Sequence, residues 1–209
     1  MEFIPIGTDF PLKYREYIGE LEKIKHFSSI KAQYQHLAAR IALQNGLEKK
    51  GQQRIALADL QLVHYQELPQ YPQYRISLSH TEGVAGALIG KSSKFCSLGI
   101  DIELLDREIT KGATKFFINE WDNQNLSVIS LWTIKEAAFK AISSLSMRMG
   151  SGDDQLTLKK IWINKGYFGL TMTDRPPLGI YQLQTIKVDQ KTFIVAQAFI
   201  FKERSAVTG

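Results

Sequence analysis

The sequence predicts an α+β fold, and three observations carry that expectation. Leu131, Ile134, Ala138, Ala141 and Leu145 recur at the spacing of one helix face. Between Arg75 and Glu103, three short segments alternate apolar with polar or small residues, as paired strands do. Between Leu156 and Phe201, further alternating segments follow, separated by turn residues. Helix plus hairpin, then helix plus meander, suggests two similar halves, 1–103 and 104–209, in one unit, each an antiparallel sheet packed with helices. A site built from the strand end of one half and the helix of the other then lies in the cleft between them, a common place for ligands.

The 209 residues are ample for a buried core. With 44% hydrophobic and 22% charged residues, the composition is ordinary for a soluble globular protein. No apolar run approaches the roughly 18 residues of a spanning helix, and Met1-Glu2-Phe3-Ile4-Pro5 does not read as a signal peptide. A membrane is therefore not expected as a partner. Cys96, the single cysteine, forms no internal disulfide, so a reducing, cytoplasmic setting is the expectation, with Cys96 as a small core residue. The 26 Lys plus Arg against 21 Asp plus Glu leave +5, which favours an anionic partner. Nucleic acid is not expected, because Cys/His finger spacing, an aromatic-interleaved basic strand and an arginine-rich tail are all missing.

In chain order, residues 1–27 suggest a short strand or turn and a helix near Tyr14–Lys25. A clearer helix follows, capped by Ser28 or Ser29, with Ile30, Tyr34, Leu37 and Ile41 at helical spacing and Gly46 as its stop. Lys31 and Arg40 lie on it. After a polar turn at Lys49-Lys50-Gly51, Ile55–Val63 reads as a strand, or a short helix plus strand. Arg75–Thr81 and Val84–Ile89 form a hairpin, and the turn Lys91–Lys94 feeds the strand that ends at Glu103. Arg107–Asn119 reads as a helix, and Ser146–Asp154 as a loop rich in Ser, Gly and Met. Ile161–Ile163, Tyr167–Met172, Tyr181–Ile186 and Thr192–Ile200 form the meander, with a turn at Arg175-Pro176-Pro177. Lys202–Gly209 is expected to fray.

In Leu98-Gly99-Ile100-Asp101-Ile102-Glu103 the leucine and isoleucines face a core while both carboxylates stand on the other face. Two acids that close repel by about 1–4 kcal/mol between bulk water and a surface dielectric, and so favour a cation. On the central helix, Trp132, Glu136 and Lys140 stand at i, i+4 and i+8 along a stripe beside the apolar one. Asp101, Glu103 and Glu136 together make an all-oxygen set suited to magnesium, which keeps waters and completes its shell with phosphate oxygens. Lys140, one turn on, then faces the same phosphates. The plainer readings are a polar outer strand face and an exposed Glu-to-Lys helix pair. Ser79 and His80 are adjacent in an extended segment and point to opposite faces, which excludes hydrolase triad logic. No Gly-rich phosphate loop or dinucleotide fingerprint is present, so a nucleotide would be held by side chains.

Gly99-Ile100-Asp101-Ile102-Glu103 followed by Trp132-Thr133-Ile134-Lys135-Glu136-Ala137-Ala138-Phe139-Lys140-Ala141 resembles the signature pair of the 4′-phosphopantetheinyl transferases. The chain length and Glu103 resemble the surfactin-synthetase-activating (Sfp-type) branch rather than the short trimeric holo-acyl-carrier-protein synthases. The resemblance implies two pseudo-symmetric halves with the active-site cleft between them, and a monomer suffices. It implies transfer of the phosphopantetheine arm of coenzyme A to a serine of an apo acyl or peptidyl carrier protein, releasing adenosine 3′,5′-bisphosphate. Magnesium would be held by Asp101, Glu103 and Glu136, with Lys140, Lys135 and His80 adding positive charge or hydrogen bonds. Glu136 has a second possible role, as the base for the incoming serine. Ser79-His80-Thr81 matches a run that places its histidine on the phosphates, and Leu37-Ala38-Ala39-Arg40 matches a basic helix in which Lys31 and Arg40 would hold the 3′-phosphate. Phe116-Phe117 followed by Glu120 resembles a run whose acid lies near the active site. Glu67-Leu68-Pro69 departs from the family's Gly-Lys-Pro, removing a lysine contact to the nucleotide half, and the sequence leaves open whether Arg75 compensates for it. That departure leaves an alternative, a non-catalytic coenzyme A or carrier-protein binding protein on the same scaffold.

Overall fold

A computed structural model describes residues 1–24, 27–150, 156–171 and 176–202. The chain begins with β1 (Glu2–Pro5), α1 (Phe10–Lys13), α2 (Arg15–Ile24) and α3 (Ile30–Glu48), followed by the hairpin β2 (Tyr74–Thr81) and β3 (Val84–Lys91). Next come β4 (Phe95–Leu104), α4 (Lys111–Thr114) and α5 (Val128–Arg148). The meander β5 (Ile161–Asn164), β6 (Tyr167–Leu170), β7 (Gly179–Val188) and β8 (Lys191–Phe201) completes the described chain. These elements make a mixed α+β fold with two antiparallel sheets, of strand order β1-β3-β2 and β4-β8-β7-β6-β5. The expectations for Lys25, 151–154, Met172, Arg175 and 203–209 lie outside the described residues.

The two sheets exchange at the turn 92–94. β4 follows the hairpin in sequence but pairs with β8, Asp101 opposite Ala196 and Glu103 opposite Ile194. Its two faces behave as the alternation predicts. Leu98, Ile100 and Ile102 are buried with Val84 and Leu88 of β3 and with Phe193 and Val195 of β8. The other face of the second sheet, with Ala196, Ala198 and Ile200, packs on Leu131, Ile134, Ala138 and Ala141 of α5. On the far side, Ala85, Ala87 and Ile89 of β3 pack against Leu37, Ala38 and Leu43 of α3. The layers thus run α3, first sheet, second sheet, α5, with a core at each junction.

Ser29 caps α3 by accepting from the Ala32 amide, and Ser127 caps α5 by accepting from that of Ser130. α3 runs through Gly46 rather than stopping there. A Cβ at Gly46 would stand 2.6 Å from Ile89 Cδ1, so the missing side chain admits the sheet, and the helix ends at the Lys49 cap. Ile30 is exposed, because α3 is buried mainly from Gln33 to Leu47. Ile55–Val63 contains only a 3₁₀ turn at Leu57–Asp59, and Val63 makes a single bridge to Glu67. Arg107–Asn119 is not a continuous helix: only Lys111–Thr114 is helical, in a segment whose Gly112 and Thr residues are weak helix formers.

Candidate active site

Gly99 brings α5 onto β4. A Cβ there would lie 2.0 Å from the Ala137 carbonyl oxygen, so only glycine admits the helix this close. Two residues on, Asp101 Oδ1 accepts from Lys140 Nζ at 2.7 Å and from Ser79 Oγ at 3.0 Å. Lys140 Nζ also donates to the Ile100 carbonyl at 3.0 Å and approaches Ser79 Oγ at 3.3 Å. Strand β2, strand β4 and helix α5 therefore meet in one hydrogen-bonded knot. Asp101 and Glu103 are buried against α5, not on a solvated outer face.

Glu103 pairs with Arg107 and accepts from Trp132 Nε1 at 3.1 Å. The indole rests edge-on against Phe117, centroids 5.1 Å apart, with the Arg107 guanidinium 5.8 Å from its ring centre. Glu136 is half-buried and makes no hydrogen bond or ion pair among the described residues. Desolvation, then the charge of Asp101, pushes its carboxyl above the ordinary range; Glu103 adds to this while Lys140 and Arg107 oppose it.

Among the described residues no set of three or more His, Cys, Asp or Glu side chains is disposed to hold a metal ion. Asp101, Glu103 and Glu136 share one electrostatic neighbourhood, but Asp101 is turned onto Lys140 and Glu103 onto Arg107 and Trp132. Asp101 Oδ2, however, is buried without a hydrogen-bond partner. An anionic oxygen left bare in a cluster of acids needs a donor or a cation, and a hard dication such as magnesium fits that donor set.

Beside this knot is a cavity of about 580 Å³ lined by Arg40 of α3, Ser77, Leu78 and His80 of β2, Leu62, Tyr65 and Gln66 of the preceding loop, and Phe139, Lys140 and Ser143 of α5. Its walls are partly apolar and aromatic, and the charged side chains in its lining, Arg40 and Lys140, are both cations. Burial lowers the pKa of Arg40, and no acid offsets that. His80, exposed at the rim, has its pKa lowered by desolvation and then by the cations Lys140 and Arg40, with Asp101 opposing. The cavity suits an anion carrying an apolar or aromatic portion.

Of the expected residues, Arg40, His80 and Lys140 line this cavity, and Ser79 and Asp101 join it through their bonds to Lys140. Glu103 stands two residues along β4 from Asp101 and Glu136 one turn back along α5 from Lys140, neither in the lining, and the other expected residues lie elsewhere. Lys31 stands nine residues from Arg40, half a turn around α3 at 100° per residue, and pairs with Glu82 at 2.7 Å on the surface. Lys135 does not face the cavity: it is fully buried and pairs with Asp122 at 2.7 Å. Burial lowers its pKa, while the Asp122 hydrogen bond and charge oppose that. Glu120 is exposed in a separate depression beside Trp121 and Lys160. Arg75 pairs with Glu67 at 3.4 Å, and Glu67 also faces Arg148 at 3.6 Å.

Sequence reasoning missed Gln66, Ser77 and Asp122. All three are buried side chains that satisfy backbone groups, and no spacing rule marks them. No protein-family model matches this chain, and no curated protein matches it in sequence.

Proposed function

We propose that this protein is a magnesium-dependent 4′-phosphopantetheinyl transferase of the surfactin-synthetase-activating type. It would move the arm of coenzyme A to a serine of an apo acyl or peptidyl carrier protein. The observation that carries the reading is the bonding of Asp101 to Lys140 and Ser79 beside a partly aromatic cavity lined by Arg40, His80 and Lys140, with Glu103 and Glu136 in the same electrostatic neighbourhood. A mere binder of coenzyme A has no need for three acids beside the phosphates it must attract.

In this reading α3 with the first sheet and α5 with the second are the two pseudo-symmetric halves, and the cavity is the cleft between them. Arg40 and His80 hold phosphates, while Tyr65 and Phe139 offer aromatic surface to the base. Asp101, with Glu136 and, after release from Arg107, Glu103, would hold the magnesium ion. That ion, when bound, neutralises charge developing on the pyrophosphate. Lys140 contributes a fixed cation on the same side, its ammonium held by Asp101 and the Ile100 carbonyl. Where Glu136 is not occupied by the metal ion, its raised pKa and its lack of an ion pair among the described residues suit it instead to accept the proton of the incoming serine. A cytoplasmic monomer serving a soluble carrier completes the proposal; no described helix is long and apolar enough to cross a membrane.

The pairing of Glu67 with Arg75 and Arg148, in the segment that departs from the family's Gly-Lys-Pro, favours a second reading, a coenzyme A binding protein without transfer activity. Intact-mass spectrometry separates the two. An apo carrier incubated with the protein, coenzyme A and magnesium should gain one phosphopantetheine, and a chelator should abolish the gain. Coenzyme A binding without any gain across acyl and peptidyl carriers would establish the binder instead.

A further inference from the structure

β4 is the edge strand of its sheet, and the hairpin beside it forms no backbone ladder with it. Side chains complete the exposed edge instead. The Gln66 amide, itself buried, accepts from the Leu98 amide at 3.2 Å and donates to the Leu98 carbonyl. It thereby exchanges both bonds with one residue, as a partner residue in an antiparallel strand would. The same amide accepts from Ser97 Oγ at 3.0 Å and reaches the Lys140 carbonyl of α5 at 3.4 Å. The Gln66 carbonyl takes the Ile76 amide of β2 at 3.0 Å. One side chain and its peptide therefore tie together the three elements that form the Ser79, Asp101 and Lys140 knot.

The local backbone is shaped for this purpose. His64 and Tyr65 both have positive φ, 47° and 61°, and the Gln66 amide donates to the Val63 carbonyl at 3.1 Å, which makes a tight reversed turn from residues that do not favour it. Ser144 of α5 holds that turn by donating to the His64 carbonyl at 2.8 Å.

We propose that Gln66 is a positioning residue: its amide substitutes for the missing strand beside β4 and sets the approach of β4 to α5 that places Lys140 on Asp101. The effect on turnover rests on the transferase reading, but the placement of Lys140 does not.

The test compares the whole chain as wild type, Gln66→Glu and Leu47→Ala. Glutamate keeps the shape, but ionised at pH 8 it offers only acceptors to the Leu98 and Lys140 carbonyls. Two readouts are taken: transfer kinetics, and acetylation of Lys140 by an amine-directed reagent, followed by peptide mass spectrometry. In Gln66→Glu at pH 8, kcat should fall about tenfold or more while the KM for coenzyme A stays within about twofold. Lys140 labelling should rise several-fold over wild type. Both should return toward wild type, compared at the same pH, near pH 6, where a buried carboxyl regains its proton and its donor. Leu47→Ala truncates a core residue outside the cavity lining and should lower the melting temperature with neither readout changed. If Gln66→Glu does not fold, Gln66→Met serves in its place, without the pH rescue. Unchanged kcat and unchanged labelling in a folded variant, even with a lower melting temperature, would overturn the positioning role. If wild type transfers nothing, the transferase reading fails alone, and the labelling ratio still decides for or against Gln66.

Discussion

Asp101 holds one oxygen on Lys140 and Ser79 and leaves the other buried and bare. Asp101→Asn keeps the shape and an acceptor for Lys140 but removes the charge a dication needs. Transfer should fall by about two orders of magnitude or more, in the range found when a group stabilising transition-state charge is lost. The melting temperature should move by no more than about 4 °C, the shift that about 1 kcal/mol produces at this size. Transfer near the wild-type rate would remove Asp101 from the site. His80 gives a pH test. Its pKa lies below the ordinary 6.5, so at pH 7 the ring is neutral. A bound phosphate favours the charged ring, so coenzyme A should bind more tightly as pH falls through 6.5 toward the folded value, and His80→Ala should flatten that dependence in calorimetric titrations. Without ligand the sign reverses. The unfolded chain takes the proton first, so stability falls over the same interval and levels off below the folded pKa. At this scale the meeting of Asp101 with Lys140 was legible because strand and helix periods set their faces. Lys135 was not, because a buried partner, Asp122, lies thirteen residues away in a loop that no pattern marks.

Gly99 belongs to the scale of elements. Gly99→Ala drives a methyl into the Ala137 carbonyl, and neither backbone can yield without moving β4 from α5. We expect a loss of about 1–3 kcal/mol, as for overpacked cores, together with a larger loss of transfer, because the displacement falls two residues before Asp101. A thermal melt and a rate measured on the same sample check this; full activity with a wild-type melt would mean that the helix does not sit so close. The apolar stripe of α5 was legible, since Leu131, Ile134, Ala138 and Ala141 all reached the core. α3 was less so, because nearly its whole circumference is buried from Leu37 to Leu47, and a helix buried all round shows no stripe to read. The segment after β4 misled for the opposite reason. Its Phe116 and Phe117 suggest a helix face, yet Phe116 is exposed and only Phe117 is buried, beneath Trp132.

The assignment of β4 to the second sheet belongs to the whole molecule and could not be read from alternation, which gives a strand its faces but not its neighbours. Its consequence is mechanical. Val84 and Leu88 of the first sheet share one core with Leu98, Ile100, Ile102, Phe193 and Val195 of the second, so neither half can open without exposing that layer. The chain should therefore unfold in a single transition. Its three tryptophans, Trp121, Trp132 and Trp162, all lie in the second half, whereas the amides of Leu37 and Leu43 in α3 report on the first. Urea unfolding followed by fluorescence, and by hydrogen exchange at those amides, should give one midpoint. Leu98→Ala, which removes a fully buried side chain from the shared layer, should cost about 2–5 kcal/mol and move both probes together. If only the fluorescence midpoint moved, the halves would be energetically separate. The cavity between α3 and α5 would then be free to change width, and binding, rather than the resting fold, would have to bring Arg40 and Lys140 to the same ligand.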